Sequence, residues 1–242
     1  MDPSRGDRSL PVDLIRTVAI VLVILLHAAI EPVQLADEMT PEGVSLWWTV
    51  NIYCSLARPA VPLFVMLSGF LLLQPSKVTE PLKIFLKKRM KRIALPFLFW
   101  GIIYFIWRFF INQEPFSCEQ VVTGVLTGPY YHFWFLYMLL GLYLITPILR
   151  VVVAHAEWKI SKFFLLLWFI GTGVIPLIAL SGTFRVHEGI FVMTGWVGYF
   201  FLGAYMHRIR FRPLILYLTL ILGILGTIIC TYIVTGALGA RQ

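Results

Sequence analysis

Apolar residues in this chain run in long unbroken blocks, and the blocks are too long for strands. A helix needs about 20 apolar residues to cross a hydrocarbon layer. Blocks of that order lie near residues 12–30, 46–73, 94–111, 132–153, 163–181, 190–206 and 213–235. A lipid-facing β-barrel would instead alternate polar and apolar residues in segments of about 10. The pattern therefore predicts an all-α, polytopic integral membrane helical bundle of about seven transmembrane helices. Pro59 and Pro62 interrupt the second block, so a kink or a broken helix is expected there. Residues 117–128 read as a short surface helix. No internal repeat and no linker divides residues 1–242, which read as a single membrane-embedded domain.

Composition supports the same class. Of 242 residues 59% are hydrophobic and 13% charged, with a mean hydropathy of +0.84. An ordinary soluble chain carries roughly 25% charged residues, and one soluble domain of this length could not hide so much apolar surface. The first block carries Asp13, Arg16 and His27 and lacks a small-residue cleavage site, so it reads as a retained span and not a signal peptide. Cys54, Cys118 and Cys230 are far apart and form no CxxC pair, so they read as isolated thiols, with no metal site expected.

The net charge of +8 is distributed by side of the membrane. Residues 74–93 alone hold Lys77, Lys83, Lys87, Lys88, Arg89, Lys91 and Arg92. Arg5 and Arg8 precede the first span, Arg150, Lys159 and Lys162 lie at or beyond the end of the fourth, and Arg208, Arg210 and Arg212 follow the sixth. These fifteen share one side, against Arg185 and Arg241 on the other. Cytoplasmic connections carry the excess of Lys and Arg. The expected location is therefore the cell (plasma) membrane, multi-pass, with the N-terminus cytoplasmic. The charge is a topology signal, and no nucleic-acid partner is expected; the lipid bilayer is the first partner.

Ionisable groups at span depth cost several kcal/mol unless paired or wetted, and they point to function. At roughly 100° per residue, Asp13, Arg16, His27 and Glu31 fall within about 60° of arc on an otherwise aliphatic helix. Arg16 and His27 are separated by about 16 Å along the axis. A neutral imidazole can take a proton from a hydroxyl near neutral pH, and Glu31, one turn on, could orient its ring. The alternative is an interfacial Asp13–Arg16 pair with His27 at the outer headgroups. Arg58, beside two prolines, either binds freed backbone carbonyls or serves as a fixed cation for an anionic substrate or thioester oxygen. Ser68 and Gly69 permit close helix packing. Arg108, beside Trp107 near a membrane boundary, is expected to snorkel. The run from Lys87 to Arg92 is either a membrane anchor or a phosphate site. His132 opens the fourth span from the outside, within an aromatic stretch that includes Trp134 and suits a membrane interface.

The stretches VDLIRTVAIVLVILLHAAI, ARPAVPLFVMLSGFLLL, KKRMKRIALPFLFW, YYHFWFLYMLLGLYLITPIL and GWVGYFFLGAYM resemble, in order, signature segments of the acyltransferase-3 family of integral membrane O-acyltransferases. The resemblance runs from about residue 10 to 210, and its most specific element is Arg-x10-His, matched by Arg16 and His27. It implies transfer of an acyl group, typically acetyl, from cytoplasmic acyl-CoA as co-substrate to a sugar hydroxyl of a cell-surface polysaccharide or glycolipid. It implies that His27 and Arg16 are catalytic and that Arg58, Lys88, Arg89 and Arg92 meet the acyl-CoA. Asp13, Glu31, His132 and Trp134 are then expected on the substrate side. Members usually carry about ten spans of about 20 residues, so the resemblance implies a partial member whose further helices, or a second chain, are a partner. The competing functions are a membrane transporter or exporter of a glycan or small anion, and an inactive partial paralogue.

Overall fold

The computed structural model describes residues 10–34, 40–175, 195–206, 209 and 212–239. Among them every regular element is a helix and none is a strand. In chain order these are α1 (Leu10–Gln34), α2 (Pro41–Ala57), α3 (Ala60–Leu72), α4 (Leu82–Ile106), α5 (Cys118–Thr127), α6 (Trp134–His155), α7 (Trp158–Phe169), α8 (Gly195–Met206) and α9 (Pro213–Gly239). Five stretches among the described residues are long and apolar enough to cross a membrane: Leu10–Ala28, Glu42–Leu72, Leu82–Ile111, Trp134–His155 and Pro213–Cys230. The expected spans at 163–181 and 190–206 both run into residues outside the described set. Large apolar side chains such as Leu14, Leu98, Leu222 and Ile221 are exposed, as lipid-facing residues must be.

The chain clusters into two compact units. The first is Met1–Leu71 with Lys159–Gln242, the second Leu72–Trp158. In the first unit α1 and α9 both pack on α2. The expected break in the second span falls at Arg58 and Pro59, which separate α2 from α3. Thr40 caps α2, its hydroxyl accepting from the Gly43 N–H at 3.0 Å, with Pro41 in the first turn. Helices α3 and α8 touch backbone to backbone. A Cβ on Gly69 would lie 1.8 Å from the Phe200 carbonyl oxygen, and one on Gly203 would lie 1.9 Å from that of Met66. The rings of Phe164 and Phe201 pack edge to face at 5.0 Å, and the Trp168 indole N–H donates to the Gly195 carbonyl at 2.9 Å.

In the second unit α4 packs on α6. The basic segment that reads as a connection before the third span is instead the first part of α4, which starts at Leu82 and continues without interruption through Ile106. Its 25 residues span about 37 Å, more than the roughly 30 Å of a hydrocarbon core, so its basic turns have length to spare beyond the lipid. The expected short surface helix is present as α5, capped by the Ser117 hydroxyl, which accepts from the Gln120 N–H at 3.2 Å.

Where α4 ends in a π-helical turn, Trp107–Ile111, Arg108 forms a bridge to Glu114, with Nη2 at 2.6 Å and Nε at 2.9 Å from the same oxygen. The residue expected to snorkel is thus held by a loop carboxylate. Hydrogen bonds from Arg108 hold the Glu114 carboxyl below its ordinary value of 4.5. The folded value lies below the unfolded one, so this bridge is fully formed above about pH 4.5 and is lost as pH falls through the lowered value. Amide protection factors in residues 112–116, which remove the intrinsic pH dependence of exchange, should therefore fall only on acidification below that point, and Glu114→Gln should hold them low across the same window. Equal protection in both proteins would exclude the bridge as the element that orders this turn.

Candidate functional site

The first group of site residues lies on α1. Its buried and half-buried side chains are Val12, Asp13, Arg16, Ala19, Leu22, Val23, Leu26 and His27, which fall on one side of the helix. Arg16 and His27, both half-buried, therefore share this packed face. Asp13 pairs with Arg16 one turn away, the guanidinium donating to the carboxylate at 2.9 Å, with both side chains a little over two-fifths exposed. The interfacial Asp13–Arg16 pair is thus present, and it holds the Arg16 head toward the start of the helix. Because α1 is continuous, Arg16 and His27 stay about 16 Å apart along its axis. Glu31 belongs to α1, with its side chain outside the described set.

Arg58 is exposed at the α2–α3 break. Its main-chain N–H donates to the Cys54 carbonyl at 2.8 Å, which closes the last turn of α2.

The second unit carries a cationic cluster at one end. Of the run from Lys87 to Arg92, Lys87, Lys88, Lys91 and Arg92 are exposed, whereas Arg89 is half-buried. The Arg89 guanidinium lies over the Phe85 ring at 5.7 Å and the Tyr143 ring at 5.8 Å. Its Nε is buried without a hydrogen-bond partner. Arg150, 2% exposed, donates from Nε to the Leu72 carbonyl at 2.8 Å. It is ion-paired through Nη2 with Glu80 at 2.8 Å and stacks over Phe85 at 4.3 Å. Burial, with the Arg150 and Arg89 charges close by, holds the Lys77 ammonium below its ordinary 10.5.

Sequence reasoning counted Arg150 as a connection charge and missed its burial. The signal was the period of α6. Leu139, Leu142, Tyr143, Thr146, Leu149, Arg150 and Val153 form its buried face, and the arginine occupies one of these core positions.

The other end of the same two helices is aromatic. Pro96, Trp100 and Tyr104 of α4, with His132 and Phe133 of a 3-10 turn and Phe135 and Leu136 of α6, line a cavity of about 290 Å³. Tyr104 stacks on Tyr130 at 4.8 Å, and His132 lies 5.4 Å from Tyr104 and 5.3 Å from Tyr130. Gly128 makes this turn possible. Its φ of 103° suits a residue without a Cβ, and an added Cβ would lie 2.9 Å from that of Phe133. The Tyr137 hydroxyl donates to the Val125 carbonyl and ties α5 to α6. Trp134, grouped with His132 from the sequence, is exposed and lines no part of the cavity. The pairings of Arg89 with Tyr143 and of Tyr104 with His132 make α4 and α6 antiparallel. Arg89 and Tyr104 are about 22 Å apart along α4.

Among the described residues no three His, Cys, Asp or Glu side chains converge as a metal site. The structure thus brings His132 together with aromatic rings, Arg89 with Arg150 and Glu80, and Arg16 with Asp13. No curated protein and no solved structure matches the chain. A protein-family model described as an acyltransferase domain matches residues 11–241, nearly the whole sequence. With its long apolar helices and that match across almost its full length, the chain is a multi-pass membrane protein that belongs to the acyltransferase-3 family.

Proposed function

We propose that this acyltransferase takes an acyl group, acetyl in the simplest case, from cytoplasmic acyl-CoA and delivers it to a sugar hydroxyl of a cell-surface polysaccharide or glycolipid. It would act in the plasma membrane with its N-terminus cytoplasmic. The observation that carries the reading is the chemical polarity of the second unit. Cations gather at one end of the α4–α6 pair, and an aromatic cavity holding an imidazole lies at the other. Phosphates favour the first environment, because guanidinium groups donate charge-assisted pairs of hydrogen bonds to them. Sugar rings, with apolar faces and hydroxyl edges, favour the second. A transferase working across a lipid layer needs both, one on each side.

In this reading Arg89 and Arg92, with Lys88 beside them, hold the phosphates of the donor. His27 accepts the proton of the acceptor hydroxyl as its oxygen bonds to the thioester carbonyl carbon. The C–S bond then breaks, and the imidazolium returns the proton to the leaving coenzyme A thiolate. Arg58 stabilises the charge that develops on the carbonyl oxygen, while Arg16, drawn by Asp13 toward the start of α1, meets the donor away from His27. His132 sits with the acceptor sugar.

The donor half is tested by binding. Arg89→Ala with Arg92→Ala should weaken acetyl-CoA binding roughly 10–100-fold, because each hydrogen bond to a charged group contributes about 1.5–3 kcal/mol before solvent screening of the exposed Arg92. Calorimetric titration of the purified protein in lipid nanodiscs measures it. Unchanged affinity in a normally inserted variant would return these residues to a membrane-anchoring role.

A further inference from the structure

The cationic end of the second unit contains a carboxylate in the wrong place for a phosphate site. Glu80 lies in the connection between the 3-10 turn Pro75–Lys77 and α4, and its side chain is about one-quarter exposed. Its charge reaches Lys77 and Arg89 as well as Arg150. A free carboxylate at such a position would pair with Arg89 and neutralise the cation that an incoming phosphate needs. The structure shows it engaged elsewhere. Arg150 holds it at 2.8 Å, and Arg150 is itself fixed by the Leu72 carbonyl on one edge and by the Phe85 ring at 4.3 Å. Arg89 shares that Phe85 ring, and its buried Nε makes no hydrogen bond. Two arginines thus flank one ring. Arg150 is ion-paired with the local acid and bonded through Nε to the main chain, although its Nη2, like the Nε of Arg89, makes no hydrogen bond.

We propose that Arg150 is a positioning residue for the donor site: it sequesters Glu80 and braces Phe85, so that Arg89 keeps its charge for a phosphate of the acyl donor. The inference rests on the reading that Arg89 meets coenzyme A phosphates. Arg150 touches no substrate. It acts through Glu80, which competes with the ligand for Arg89 whenever Arg150 is absent. Burying an arginine costs free energy unless its partners are well placed. Here a carboxylate, a backbone carbonyl and a ring face supply them.

The experiment titrates coenzyme A into wild type, Arg150→Met, Glu80→Gln, the Arg150→Met/Glu80→Gln double variant, Arg150→Lys and Arg89→Ala. All are held in nanodiscs of zwitterionic lipid, so that anionic headgroups do not compete. Arg150→Met should weaken binding about tenfold, the effect of one lost charge-assisted bond at Arg89. Adding Glu80→Gln should restore most of that loss, because the amide no longer competes for Arg89. Arg150→Lys should bind near wild type, since an ammonium still holds Glu80, and it decides the matter if the methionine variant fails to insert. A double variant as weak as Arg150→Met, or a lysine variant as weak as Arg89→Ala, would overturn the proposal and make Arg150 a packing residue. Unchanged affinity in Arg89→Ala would overturn the donor-site reading and the role of Arg150 with it. Weakening in Arg89→Ala without rescue by Glu80→Gln would overturn the Arg150 proposal alone.

Discussion

His27→Ala should lower acyl transfer by roughly 10²–10⁴-fold, the usual loss on removing a general base, with acetyl-CoA affinity nearly unchanged. The base acts on the acceptor proton, so donor binding does not register its loss. Position supports this division of labour. His27 and Arg16 share the packed face of α1 about 16 Å apart along its axis, and Arg16 is ion-paired there with Asp13. Arg16→Ala should instead reduce binding and turnover together, because a cation that meets the donor acts in both ground and transition states. It also leaves Asp13 without its 2.9 Å partner. Steady-state transfer assays with parallel acetyl-CoA titrations separate the two patterns. Full transfer activity in a stably inserted His27→Ala protein would remove the histidine from the mechanism.

The largest structural effect should come from Gly69→Ala or Gly203→Ala. Each added methyl would meet a main-chain carbonyl at under 2 Å, 1.8 Å at Phe200 and 1.9 Å at Met66, where no side chain can rotate away. The two contacts are reciprocal, so α3 and α8 must separate along their whole crossing to admit either methyl. Lipid supplies no hydrophobic drive to hold packed helices together, and close packing of small residues is the main attraction lost. A destabilisation at or above the upper end of the roughly 1–3 kcal/mol seen for overpacked cores is expected. It should appear as a lower unfolding temperature in detergent and less monodisperse protein. Gly141→Ala, Gly223→Ala and Gly226→Ala meet nothing within 4 Å and should be neutral or slightly stabilising. If Gly203→Ala behaves like Gly223→Ala, the α3–α8 crossing is looser than the structure has it.

Much of this fold is legible in the sequence because lipid imposes simple rules. Apolar length gives the helices, Pro59 gives the break between α2 and α3, and Ser117 announces the cap of α5. Gly69 reads as a packing residue from its small size, but its partner, Phe200, is 131 positions away and carries no local mark. The start of α4 at Leu82 is hidden for a different reason. Seven Lys and Arg residues between 74 and 93 read as a cytoplasmic connection, whereas most of them are compatible with a helix that extends beyond the lipid. Counting charges by side also conceals Arg150, since a topology argument treats every cation near a span end alike. Only the 3- and 4-residue spacing of α6 sets it apart from exposed Arg92. On α1 the polar stripe is read directly from helical geometry, and the structure adds which of its members faces packed neighbours.

The most direct test of acyl transfer across the lipid layer uses sealed, inside-out membrane vesicles from cells expressing the protein, supplied externally with acetyl-labelled acetyl-CoA. The vesicles expose the cytoplasmic face, and the charged donor cannot cross. Label should accumulate in the enclosed glycan and glycolipid fraction with wild type and fall to background with His27→Ala, while external coenzyme A release follows the same order. Equal glycan labelling by wild type and His27→Ala, or coenzyme A release by wild type with no label in any saccharide or lipid fraction, would contradict the account.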